Sequence, residues 1–159
     1  MAMDMFIEIG DIKGESKDKV HKEKIDVLAW SWGMANSSSG HHGGGSGSGK
    51  VNVQDLSFTK WIDKSSPVLM LSCCKGTHHD KAKLIVRKAG DTPLEYLVIE
   101  MEEVTVSAVS TGGSGGEDRL TENVTISFDK FKVGYTEQAP KGAKQGGAIE
   151  AEWTISENA

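Results

Sequence analysis

Most of the chain alternates apolar and polar residues with a period of two, the pattern of half-buried strands. Ile25, Val27 and Ala29 alternate with Asp26, Leu28 and Trp30, so both faces of that strand carry bulk. Val51 and Val53 alternate with Asn52 and Gln54, with Leu56 and Phe58 following. Further strands are predicted around Leu84 and Val86, over Tyr96–Met101, and over Val104, Val106 and Ala108. The closing strand is the cleanest, with Ile149, Ala151, Trp153 and Ile155 on one side and Glu150, Glu152 and Thr154 on the other. The start, MAMDMFIEIGDIKGE, also reads as a strand and lacks the basic, then apolar, make-up of a signal peptide.

One strand breaks its own parity. Val124, Ile126 and Phe128 are at even positions, Phe131, Val133 and Tyr135 at odd ones. An extra residue near Asp129–Lys130, a β-bulge, would return both sets to one face, and bulges bend strands toward barrel closure. A single helix is predicted over about 66–75, with Ser66 as N-cap, Pro67 in the first turn and Gly76 as the stop. Its residues, Val68 to Cys74, are apolar nearly all round, which asks for cover on more than one side. The expected fold is mostly β: a barrel in preference to a flat sandwich, one short helix, and a long Gly/Ser-rich loop over about 33–50.

Composition narrows the function classes. At 159 residues the chain fits one domain, 1–159, and a net charge of −5 argues against nucleic acid or an anionic membrane as partner. No apolar run is long enough to span a bilayer, so no membrane insertion is expected. Cys73 and Cys74 are adjacent and read as buried thiols, not a disulfide.

Candidate chemistry is thin. Gly44–Lys50 spells G-x-x-x-x-G-K, but Val51 stands where a phosphate loop needs Ser or Thr, and a strand follows instead of a helix. His41–His42, His78–His79 and the two cysteines lack the spacing by which a backbone wraps zinc. Glu100 and Glu102 share a strand face, which reads as a solvated surface more readily than as an acid/base pair. No G-x-S-x-G elbow is present. Trp30, Trp32, Trp61 and Trp153 are spread over several segments and read as core, although a carbohydrate-binding module is the alternative they would serve. No catalytic residue, metal or cofactor is expected. What remains is a barrel, a helix wanting neighbours, and a loop too long for a compact monomer, all of which suit an assembly component.

Four stretches carry a resemblance: FIEIGDIKGESKDKVHKEKIDVLAWSWG (Phe6–Gly33), GKVNVQDLSFTKWIDKSSP (Gly49–Pro67), KLIVRKAGDTPLEYL (Lys83–Leu97) and VSAVSTGGSGGEDRLTENVTISF (Val106–Phe128). Through them the chain resembles the haemolysin-coregulated protein (Hcp) family of bacterial type VI secretion. The resemblance implies a tight β-barrel built from two antiparallel sheets and flanked by one short helix. It implies a structural subunit that forms hexameric rings stacked into a tube, expelled by a contractile sheath behind a VgrG-type spike protein. The lumen would carry small effectors. It implies a cytoplasmic protein that is exported without a cleaved signal peptide, and no C-terminal effector domain is expected after the last strand. On this reading Ser37, Ser38, Ser39, His41, His42, Ser46 and Ser48 form a ring–ring contact loop. Thr111 and Ser114 line the lumen, and Val68, Leu69, Leu71 and Cys74 form a subunit-interface helix.

Overall fold

The computed structural model describes residues 3–37, 50–90, 93–138 and 146–159. Ten strands and one helix follow in the order β1 (Met3–Ile9), β2 (Ile25–Ser31), β3 (Met34–Asn36), β4 (Val51–Val53), β5 (Leu56–Trp61), α1 (Ser65–Lys75), β6 (His78–Lys88), β7 (Leu94–Thr111), β8 (Thr121–Ser127), β9 (Lys130–Tyr135) and β10 (Ile149–Thr154).

Eight strands form one antiparallel sheet in the order β10-β9-β7-β6-β1-β2-β5-β8, and β8 pairs back onto β7. That return closes a six-stranded barrel, β7-β6-β1-β2-β5-β8. The barrel is therefore one continuous sheet whose ends meet, where the sequence suggested two. Strand β7 makes closure possible because it is long enough for two partners on one edge. Thr105–Thr111 pair with β8, and Leu97–Glu102 pair with β9. The patterns read separately over Tyr96–Met101 and Val104–Ala108 belong to this single strand.

The parity break at Asp129–Lys130 is real, but it is not a bulge. Three residues separate Glu102 from Thr105 on β7, and three separate their partners Ser127 and Lys130, so no residue is gained or lost against the partner. Strand β7 shifts parity at the same place, from buried Ile99 and Met101 to buried Val104 and Val106. Glu103 absorbs the turn with φ of 58°, in the left-handed region. Two strands thus bend together. True register shifts lie elsewhere, between Val27 and Ala29, Val86 and Arg87, and Val106 and Ala108.

The core fills the barrel with Ile7, Ile9, Ile25, Leu56, Phe58, Leu84, Ile99, Met101, Val124 and Ile126, all within 2% of full burial. Trp30, Trp32 and Trp153 pack against it, and Trp32 meets the Phe131 ring edge-on at 4.9 Å. The Gly/Ser-rich loop predicted over 33–50 has an ordered base, the two-stranded ribbon β3–β4.

Helix α1 departs from the expectation of an apolar cylinder. Its buried stripe is Ser65, Ser66, Leu69 and Ser72, while Val68 and Leu71 are 47% and 53% exposed. Cys73 is half-buried and Cys74 is exposed, so neither is the buried thiol the sequence suggested. The N-cap is Lys64, without a side-chain cap, because Ser66 is drawn into the barrel's hydrogen bonding. Gly76 does end the helix, at φ of 63°.

Candidate functional site

The barrel's outer surface divides into two sheet faces of different chemistry. On β2, β5, β8 and the second half of β7, two adjacent rows of outward positions are small, bounded by larger side chains such as Trp61 and Leu28. One row runs Ala29, Thr59, Asn123, Ser110, each paired across to the next strand. The neighbouring row runs Ser31, Ser57, Thr125, Ala108. Hydroxyl and amide groups join β5 to β8 within each row: Thr59 donates to Asn123 Oδ1 at 2.7 Å, and Ser57 and Thr125 share a bond at 3.0 Å. Four strands at about 4.8 Å spacing give an uncharged lattice about 14 Å wide. Every side chain points out because its neighbours Phe58, Leu56, Val124 and Ile126 point in.

Charge fills the other face. A row across five strands reads Glu8, Lys83, Glu100, Lys132, Glu152, with strict alternation of sign. A second row pairs Lys81, Glu102 and Lys130. Glu150 accepts from Lys132 Nζ at 2.8 Å, which pushes the lysine's proton affinity up. Glu100 and Glu102 are therefore members of a solvated ladder of opposite charges, as the sequence reading held.

Inside the barrel, one polar cluster closes the end beneath α1. Lys60 Nζ, fully buried, donates to Glu122 Oε1 at 2.6 Å, Asp63 Oδ1 at 3.1 Å and the Trp61 carbonyl at 2.7 Å. Ser66 Oγ donates to the same Glu122 oxygen at 2.6 Å and accepts from the Asp63 backbone N–H at 3.0 Å. The helix's first turn is thus bolted to β5 and β8 through serines, and its aliphatic residues are left on the outside.

Residues 10–24 form a strap over β1 and β6. Arg87 Nη2 donates to Asp18 at 2.5 Å and to Asp4 at 3.1 Å, and its guanidinium lies 5.3 Å from the Phe6 ring centre. The Arg87 bonds hold the Asp18 carboxyl well below the usual carboxylate range. His21 stacks on Phe6 at 4.8 Å and meets Glu95 Oε1 at 2.5 Å.

The residues singled out from sequence fall in different places. Val68, Leu71 and Cys74 share the exposed side of α1, whereas Leu69 is fully buried in the core. Thr111 and Ser114 are exposed at the end of β7 and in the loop after it, at the margin of the small-residue lattice. Ser37 is exposed beside β3, and Ser38, Ser39, His41, His42, Ser46 and Ser48 lie outside the described residues. His78 and His79 begin β6, where His79 shares a bond with Ser72 at 2.8 Å and His78 pairs with Glu103. Among the described residues, no group of three His, Cys, Asp or Glu converges as a metal site. The lattice itself was missed. Its signal was present in the outward members of S-F-T and N-V-T, which are small and polar with no charge among them.

The model of the family described as "Type VI secretion system effector, Hcp" matches residues 6–135. Protein hcp1 of Pseudomonas aeruginosa is 64% identical over 159 residues, covering 99% of this chain and 98% of that one. Hcp1 from Salmonella typhimurium superposes with a TM-score of 0.81 at 36% identity, over 100% of this chain and 99% of the other. A solved type six secretion system protein reaches a TM-score of 0.93 at 27% identity, with 99% of each chain covered. Barrel, flanking helix and sequence agree: the chain belongs to the Hcp family of secreted type VI secretion proteins, known as tube and effector components.

Proposed function

We propose that this chain is the repeating subunit of a type VI secretion tube, with six copies closing a ring and rings stacking into the tube. The observation that carries this is the division of its surface. A lattice of eight small uncharged residues on one side is unsuited to holding a protein neighbour tightly. It is well suited to a wall past which a folded effector must slide, since long charged side chains there would narrow the passage and trap cargo. Thr111 and Ser114 stand at the edge of that wall. On α1, Val68 and Leu71 expose apolar area that a monomer gains nothing by showing, and since each is already about half buried, burial of the rest against another copy would be worth about 0.7–1.5 kcal/mol per side chain.

Rings close when one face of a subunit meets a different face of the next, and each ring–ring step can be weak because six copies of it act together. The segment Ser37–Ser48 is assigned to that step. The tube is held in the cytoplasm against a VgrG-type spike and inside a contractile sheath, and leaves the cell when the sheath contracts. Catalysis has no part in this role.

The test replaces Thr59 with Arg. Rings of unchanged mass by mass photometry, with export of a lumen-bound effector lost, are expected. Normal export through intact rings would remove the lattice from the lumen, and a wild-type protein that stays a monomer at high concentration would remove the tube.

A further inference from the structure

The alternating charge row ends on an unanswered glutamate. Glu152 is exposed on β10, the edge strand of the sheet, and has no cation beyond it among the described residues. Among the described residues, the outer backbone edge there is met only at Thr154. Thr154 N–H donates to the Ala159 carbonyl at 2.7 Å, on the side away from β9. Since bonding direction alternates along an antiparallel strand, Glu152 and Glu150 direct their own N–H and C=O groups to that same outer side. Ile149, at the other end of β10, is 75% exposed. The edge is thus acidic along its middle and apolar at one end.

A complementary feature stands on the same chain. At the tip of the strap, Asp18 and His21 are turned inward onto Arg87 and Glu95, which fixes the backbone between them. The intervening and flanking residues have only the outside left. Lys17, Lys19 and Lys22 are exposed there around Val20, itself 70% exposed, and no acidic partner meets them among the described residues. The tip lies over β1, β6 and the start of β7, at least two strand spacings (about 10 Å) from β10, beyond the reach of a lysine to the edge of its own sheet.

We propose that the strap tip of one copy docks on the β10 edge of the next, its lysines facing Glu152 on one side of the strand and Val20 facing Ile149 on the other, with Glu150 already held by Lys132. The occupant is a second copy because both halves of the match, basic around an apolar centre and acidic beside an apolar end, are built on one polypeptide at different places. Such a contact is heterologous, and repeats of it close a ring. This rests on the ring reading above and names its lateral interface.

Charge reversal tests it. Glu152→Lys, and separately the triple variant Lys17→Glu/Lys19→Glu/Lys22→Glu, should each raise the concentration at which rings dissociate by about tenfold or more in mass photometry. Combining all four in one chain should bring it back to within about threefold of the wild type. Thermal melting controls for folding, which these exposed sites should leave unchanged. Rings unaffected by either reversal would overturn this interface while leaving the tube intact. Failure of the combined variant to recover would overturn the direct pairing. A wild type that never multimerises would overturn the tube reading and this interface with it.

Discussion

Lys60 and Glu122 face each other across β5 and β8 inside the barrel, Nζ to Oε1 at 2.6 Å, with neither side chain reaching solvent. The pair tolerates burial because Asp63, Ser66 and the Trp61 carbonyl complete the ammonium's hydrogen bonds. Removing one partner leaves the other as an uncompensated buried charge. Lys60→Ala should therefore lower stability to denaturant by about 3–5 kcal/mol. Lys60→Met with Glu122→Leu should cost less than either single change, since two apolar chains restore packing. Equal losses in the double and single variants would show that the charges do not oppose each other there.

The two leucines of α1 should separate cleanly. Leu69 is in the core, so Leu69→Ala should cost about 2–5 kcal/mol in unfolding experiments. Leu71 is exposed, and Leu71→Asp should change monomer stability by no more than about 0.5 kcal/mol. Its effect should appear in self-association instead, as a shift toward smaller species in mass photometry.

Gly14 holds the strap down by having no side chain. A Cβ there would meet the Lys24 carbonyl oxygen at 2.5 Å and the Ile25 Cα at 2.8 Å, both main-chain atoms that cannot swing aside. Gly14→Ala should cost about 1–3 kcal/mol, and should speed amide exchange of the N–H groups of Gly14, Ser16 and Glu23, which bond across the strap.

Acid should loosen the same strap. The folded-state affinity of Asp18 for its proton is depressed by Arg87, so its contribution is present above about pH 4, the unfolded aspartate range, and is lost as pH falls toward the folded value. Asp26 works with the opposite sign, because burial raises its folded value. Asp18→Asn should lose about 1.5–3 kcal/mol at neutral pH through the weakened Arg87 bonds. It should also flatten the acid limb of a stability–pH curve, and an unchanged slope below pH 4 would exclude Asp18 as its source.

How far the sequence could be read varied with the range of the interactions involved. Strand β10 was legible because Ile149, Ala151, Trp153 and Ile155 alternate locally with polar residues. The stop at Gly76 was legible because only local backbone geometry decides it. Ser66 was misread because it has two uses. It suits an N-cap in isolation, but Glu122, 56 residues away, claims its hydroxyl. The shift at Phe128–Phe131 was visible as a change of parity, yet its meaning depended on β7 making the same shift opposite it.

By itself, the amino-acid order determined the β class, the single helix and its end, the lack of a local catalytic signature and, through long matching stretches, the family. These follow from periodicity and residue chemistry over a few positions, or from extended similarity. Only the tertiary structure decided which outward residues become neighbours. Closing β8 onto β7 completes the gathering of Ala29, Ser57, Thr125 and Ser110 from four distant segments into one uncharged wall, and the pairing of β1, β6, β7, β9 and β10 lines up Glu8, Lys83, Glu100, Lys132 and Glu152 on another. Register between strands far apart in the chain sets both surfaces, and period-two alternation within a strand carries no record of which strand lies beside it.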